Sequence, residues 1–104
     1  MAEVRWSRVA RRELRAIVEY VAGSSIAAAG ALRDQVGVAE ERLGVYPRLG
    51  RTVPEFSDPS IRELIVGTYR LIYRIDDDMI FIIPIIHGSR DLRRHLPEGP
   101  WDIQ

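Results

Sequence analysis

Apolar residues recur along this chain first with the period of a helix and then with that of a strand. Ala10, Leu14, Ile17, Val18 and Val21 fall at i, i+4, i+7, i+8 and i+11, which is one stripe of an amphipathic helix. Ser7 stands where an N-cap belongs and Gly23 closes the segment. Arg8, Arg11, Arg12 and Arg15 lie largely off that stripe and form a basic, solvated surface. Ala28, Leu32, Val36, Ala39 and Leu43 repeat the spacing in a second helix. Ser24 or Ser25 caps it, Gly44 ends it and Pro47 prevents its resumption. Gly30 and Gly37 weaken it by about 1 kcal/mol each relative to alanine. So short a turn between the two predicts an antiparallel helical hairpin. Ahead of it, Glu3-Val4-Arg5-Trp6 suits a short strand.

Residues 46–60 read as loop, rich in proline, glycine and serine. Three β-branched and aromatic runs follow, at 61–66, 69–75 and 79–86. Gly67-Thr68 suits a type II′ turn, with glycine first, and 77–78 completes a second two-residue loop. These turns fix a register: Val66 opposite Tyr69, Leu64 opposite Leu71, Arg62 opposite Tyr73, Ile75 opposite Ile80, and Tyr73 opposite Ile82. One face then holds Leu64, Val66, Tyr69, Leu71, Tyr73, Ile75, Ile80, Ile82 and Ile86, with Arg62 at its margin. It is expected to carry the helical hairpin. The other face is mixed, with Ile61, Glu63, Ile65, Arg70, Ile72, Arg74, Phe81, Ile83, Ile85 and His87. Only the tail remains to cover it, and such a face suggests a partner. Pro84 removes a ladder donor and favours an edge or a bulge in the last strand.

Composition narrows the function. The 104 residues carry 15 basic and 15 acidic side chains, and every basic one is arginine. The absence of lysine excludes a Schiff base or a lysine general base. Overall neutrality argues against binding nucleic acid through bulk charge. The balance is uneven: residues 1–52 hold nine arginines against six acids, and residues 75–104 hold three against six. With no cysteine, disulfides, thiolate nucleophiles and cysteine-ligated zinc are excluded. No signal peptide and no stretch long enough for a membrane helix is visible, so a cytoplasmic protein is expected.

Several residues could carry chemistry. His87, at a strand end, could act as general acid or base, or simply bond to backbone. Arg70 and Arg74 lie four apart on one strand face, where guanidinium forks suit phosphate or carboxylate. The structural alternative is pairing with Glu63, diagonal to both. Glu55 follows a proline in a loop. Asp76-Asp77-Asp78 reads as a hairpin tip, and the histidines have no metal-ligand spacing, so neither metal nor cofactor is expected. The tail from Ser89 carries Arg90, Arg93, Arg94 and His95, then Pro97, Pro100 and Trp101: a short turn or helix, then an irregular end from about residue 92.

The ordered motifs carry a resemblance. They are Val4-Arg5-Trp6-Ser7 with Ala10, Gly50-Arg51-Thr52-Val53-Pro54-Glu55, Arg62-Glu63, Val66-Gly67, Tyr69-Arg70-Leu71-Ile72-Tyr73-Arg74 and His87-Gly88-Ser89-Arg90-Asp91. Together the chain resembles the RelE/ParE superfamily of bacterial toxins from type II toxin–antitoxin systems, most of all its ParE branch. The resemblance implies one α+β domain over residues 1–104: an N-terminal strand, an antiparallel two-helix hairpin and a three-stranded antiparallel meander.

It also implies a growth-inhibiting toxin that poisons DNA gyrase. A ParD-like antitoxin with a ribbon-helix-helix DNA-binding domain would neutralise it in a heteromeric complex. Arg62, Glu63, Arg70, Arg74, Phe81, His87, Arg90, Arg93 and Arg94 are the candidate antitoxin- or target-binding residues. RelE-type relatives cut messenger RNA in the ribosome, and under that alternative Glu55, Arg70 and His87 match a catalytic set. Glutamate would accept the hydroxyl proton, arginine hold the phosphate and histidine protonate the leaving group. The lysine-rich version of that site is absent. A third reading is a toxin-fold protein that binds an antitoxin without being toxic.

Overall fold

Ser7 turns a strand into a helix. Its N–H donates to the Ile82 carbonyl at 2.8 Å, continuing the ladder of β1 (Glu3–Trp6), while its hydroxyl accepts from Ala10 N–H at 3.0 Å and caps α1 (Arg8–Ala22). In this computed structural model, which describes residues 1–95, α1 is followed by α2 (Ile26–Val45), β2 (Arg51–Thr52), β3 (Ile61–Val66), β4 (Tyr69–Asp76), β5 (Met79–His87) and α3 (Leu92–His95). Ser25 is the cap of α2, accepting from Ala28 N–H. The helix runs one residue past Gly44, to Val45, with Tyr46 as its C-cap. Its buried stripe contains Ala29 where the sequence pattern placed Ala28, which is exposed. The side chains of Arg93 and His95, and the tail with Pro97, Pro100 and Trp101, lie outside the described residues.

The strands form one sheet in the order β1-β5-β4-β3-β2. Both hairpins adopt the register that the turn chemistry dictates, with Val66 opposite Tyr69, Arg62 opposite Tyr73 and Ile75 opposite Ile80. Gly67 has φ +61°, the sign a type II′ turn needs at its first central residue. Two strands extend the meander. β1 pairs parallel with β5, Trp6 opposite Ile82, and β2 pairs antiparallel with β3 inside the segment read as loop. β5 is therefore central, which explains its continuous apolar run. Trp6 ties β1 to the hairpin by donating from Nε1 to Glu40 at 3.1 Å.

One irregularity reverses part of the facing pattern. Tyr73 pairs with Ile82 but Leu71 pairs with Ile85, so β5 spends Ile83 and Pro84 where β4 spends only Ile72. This bulge sits where proline cannot donate to the ladder. Its loose ends are taken up by Ser7 and α1: Ser7 Oγ donates to the Ile83 carbonyl, and Ile85 N–H donates to Glu13 Oε1 at 3.4 Å. Beyond the bulge the faces exchange. Ile85 joins the core under the helices, Ile86 joins the opposite face, and His87 comes to lie beside Tyr69.

The opposite face is covered, contrary to the expectation from sequence. Val53, Ile61, Ile72, Ile83, Ile86 and Leu92 form a second buried cluster flanked by Phe56 and Phe81. The loop after β2 and the start of α3 supply its lid. Among the described residues no helix is long and apolar enough to cross a membrane.

Candidate functional site

The Gly-Arg-x-Val-Pro-Glu loop is bolted to the sheet by backbone approach. A Cβ on Gly50 would collide with the Glu63 carbonyl oxygen and lie 2.8 Å from the Tyr73 hydroxyl. Only glycine lets the chain pass so close. Tyr73 occupies the same corner: its hydroxyl accepts from Gly50 N–H at 2.9 Å and donates to the Pro47 carbonyl at 2.8 Å. Burial pushes its pKa up. Arg62 adds two bonds to backbone carbonyls, to Gly50 at 2.9 Å and to Pro59 at 3.1 Å. It is thus a loop anchor.

Held this way, the loop delivers Glu55 and Arg51 to a four-membered ion cluster. Arg70 makes a two-pronged contact with Glu55, Nη1 to Oε2 at 2.7 Å and Nη2 to Oε1 at 2.9 Å. Its Nε reaches Glu63 Oε1 at 2.6 Å and its Nη2 reaches Glu63 Oε2 at 3.1 Å. The Glu63 side chain is wholly buried and also accepts from Arg51 at 3.1 Å. Two guanidinium and two carboxylate groups balance, as a buried cluster requires. Contacts first with Glu55 and then with Glu63 hold the Arg70 pKa above its already high ordinary value.

Arg74, the other member of the expected pair, does something different. It lies over the ring of its cross-strand partner Phe81, 5.4 Å from the centroid. Asp58 nearby accepts from the Ser60 hydroxyl and N–H, which lowers its pKa.

His87 does not join this cluster. It pairs with Tyr69, the residue before Arg70, and adjacent strand residues point to opposite faces. Its ring meets Tyr69 edge-on at 5.6 Å, and Nδ1 is engaged by Ser89. The histidine borders a cavity of about 400 Å³ with Glu13, Ile17, Tyr20, Tyr69 and Arg90 on the helix side of the sheet. The structure therefore brings Glu55, Glu63 and Arg70 together and places His87 and Arg90 elsewhere. Arg94 lies 3.7 Å from Asp91 on the surface.

A further feature was not assembled by sequence reading. Arg11 and Arg15 of α1 and Arg33 of α2 border one groove of about 410 Å³ with Trp6, Leu14 and Glu40. The two α1 arginines were visible as a basic surface. Arg33 belongs with them only once the antiparallel packing of the hairpin is known.

The molecule is thus a strand feeding an antiparallel helical hairpin, packed on one five-stranded sheet, with arginines from both helices lining the hairpin groove. The model of the ParE toxin of type II toxin–antitoxin systems matches residues 4–92, and the chain belongs to that family. It is 32% identical over 91 residues to a protein named Toxin RelE2 from Caulobacter vibrioides, covering 86% of this chain and 99% of that one. In fold it is similar to a solved chain of the chromosomal ParDE toxin–antitoxin system from P. aeruginosa. The TM-score is 0.67 at 22% identity, over 84% of this chain and 96% of that chain. The protein is a type II toxin–antitoxin toxin.

Proposed function

We propose that the protein inhibits growth by binding and poisoning DNA gyrase, without cutting RNA. The supporting observation is the division of the would-be catalytic set. Arg70 spends its fork on Glu55 and Glu63, while His87 emerges on the opposite face of the sheet. A nuclease of this type needs a phosphate-binding cation and a general acid converging on one scissile bond. A cognate ParD-like antitoxin neutralises it in the cytoplasm, laying an acidic amphipathic segment across the hairpin groove bordered by Arg11, Arg15 and Arg33.

The name of the Caulobacter relative, Toxin RelE2, favours a second reading, ribosome-dependent cleavage of messenger RNA. Expression of the chain alone distinguishes them. Loss of gyrase supercoiling with intact transcripts is expected. Unaffected supercoiling with transcripts cut in ribosomes would overturn the proposal, and unimpaired growth would reassign the chain to antitoxin binding without toxicity.

A further inference from the structure

The first turns of α1 carry a charge arrangement that works against the helix itself. Arg8, Arg11 and Arg12 are all exposed, and the first turn holds no acidic residue. The N-terminal end of a helix is the positive end of its dipole, so cations there cost stability. Arg8 also stands three residues from Arg11 and four from Arg12, the spacings at which like charges repel. Other arginines of the chain are paired: Arg5 with Glu3, and both Arg51 and Arg70 with Glu63. Among the described residues neither Arg11 nor Arg12 has an ion-pair partner. A local conflict left uncompensated in this way is expected at a functional surface.

The shape and composition of this ridge point to its partner. Arg8 and Arg12 share one stripe of α1, turned away from the buried Ala10 and Val18. Neither borders the grooves that flank the helix, and Arg11 stands at the rim of the arginine-lined one. A protein partner draws most of its affinity from aromatic and apolar anchors seated in pockets. The ridge has no pocket, and the aromatic residue of α1, Tyr20, lies two turns beyond Arg12 beside the His87 cavity. A nucleic-acid duplex needs no such anchors. It carries one negative charge per about 1.7 Å of its axis, and guanidinium forks fit its phosphates. Three cations on a chain of zero net charge attract free DNA only weakly, so the ridge suits DNA that another protein already holds.

We infer that Arg8, Arg11 and Arg12 contact the phosphate backbone of the duplex DNA that gyrase holds, an inference that rests on the gyrase reading above. The toxin then binds the enzyme–DNA complex in preference to the enzyme alone. The ridge supplies an electrostatic contact that exists only while DNA is in place. Arg15 and Arg33 remain with the antitoxin segment in the hairpin groove.

Fluorescence anisotropy of the labelled full-length chain, titrated with purified gyrase alone and with gyrase on linear duplex DNA, tests this. DNA is expected to tighten binding at least about tenfold. That gain should fall with salt, with a slope of log K against log salt of about −2.7 for three phosphate contacts. The double variant R8Q/R12Q should bind DNA-free gyrase as the wild type does. It should lose most of the gain from DNA, and its slope should drop to about −0.9. Both positions are exposed and the change relieves repulsion, so its thermal stability should equal or exceed that of the wild type. Binding that DNA does not strengthen overturns the inference and leaves the gyrase reading standing, as does a gain that the double variant keeps in full. No binding to gyrase in either form overturns both. A chain that instead binds ribosomes through the same arginines also overturns both, and gives the ridge to RNA.

Discussion

Arg70 and Glu63 face each other diagonally across the β3–β4 pair, with Nε 2.6 Å from Oε1, and Glu63 is entirely out of water. The contact makes Glu63 the residue on which the cluster depends, because it serves Arg70 and Arg51 together. Removing Glu63 leaves Arg70 paired with Glu55 alone and takes the acceptor from its Nε, at a cost of about 1–3 kcal/mol. Glu63→Ala is therefore expected to lower unfolding stability by that amount. Arg51, whose side chain is 65% exposed, is worth less than about 1 kcal/mol. Urea unfolding of Glu63→Ala and Arg51→Ala gives the comparison. Equal losses would mean that burial is not what gives Glu63 its weight.

Tyr73 holds the loop that brings Glu55 to Arg70. Tyr73→Phe removes the acceptor for the buried Gly50 N–H and the donor to Pro47, with an expected cost of about 1–3 kcal/mol. The same residue predicts a pH effect. Burial raises its folded pKa above the ordinary 10.0, so the native state keeps the phenol proton after the unfolded chain has released it. The stabilisation is complete below pH 10 and is lost as pH rises through the folded value. Chemical denaturation across the alkaline range should show this decline in the wild type. The Tyr73→Phe variant should lack that residue's share of it.

The hairpin registers were legible because local chemistry sets them. Gly67 fixes one turn, a two-residue acidic tip fixes the other, and alternation does the rest. The Glu63–Arg70 diagonal followed directly from that register. What could not be read depends on contacts remote in sequence. The four residues of β1 choose β5 as a parallel partner 76 positions away, Glu3 opposite Met79. Pro84 signalled a disturbance, but not that Ser7 and Glu13 would satisfy the displaced groups and so stabilise a bulge that sends His87 to the helix side. β2 escaped notice because its two residues are held by Gly50, Tyr73 and Arg62 more than by any strand pattern of their own.

Ser7 links the bulge to the helix, and this separates it from an ordinary cap. Ser7→Ala removes the α1 cap, worth about 1 kcal/mol, and also leaves the buried Ile83 carbonyl without its donor, a further cost of about 1–3 kcal/mol. Ser25→Ala at the partly exposed start of α2 removes a cap alone. Thermal unfolding should show the larger drop for Ser7→Ala. A drop no larger than that of Ser25→Ala would mean the bulge finds another donor.

His87 discriminates between the two toxic readings at little structural cost, since its ring is exposed and its Nδ1 is engaged by Ser89 close by in sequence. Under the gyrase proposal His87→Ala keeps growth inhibition and keeps stability within about 0.5 kcal/mol of wild type. A folded variant that stops inhibiting growth would return histidine to a chemical role. The readouts are growth on induction and supercoiling by purified gyrase.

The arginine-lined groove supplies a prediction that separates neutralisation from toxicity. Arg11, Arg15 and Arg33 border it from two helices, while Glu40 is occupied by Trp6 Nε1. An acidic antitoxin segment lying there gains from all three cations, and reversing two of them places like charges across the contact. The double variant R15E/R33E should therefore bind the antitoxin at least about tenfold more weakly, a change of roughly 1.4 kcal/mol. The remaining affinity should depend less on salt than the wild type's, because fewer charges are left to screen. Both substitutions are on exposed helix positions, so the fold and the growth inhibition should persist. Calorimetric titration with the antitoxin, paired with co-expression rescue, reads the two properties separately. Cells expressing the variant should stay inhibited even when antitoxin is present. Full rescue at unchanged affinity would show that the antitoxin docks on another surface of the toxin.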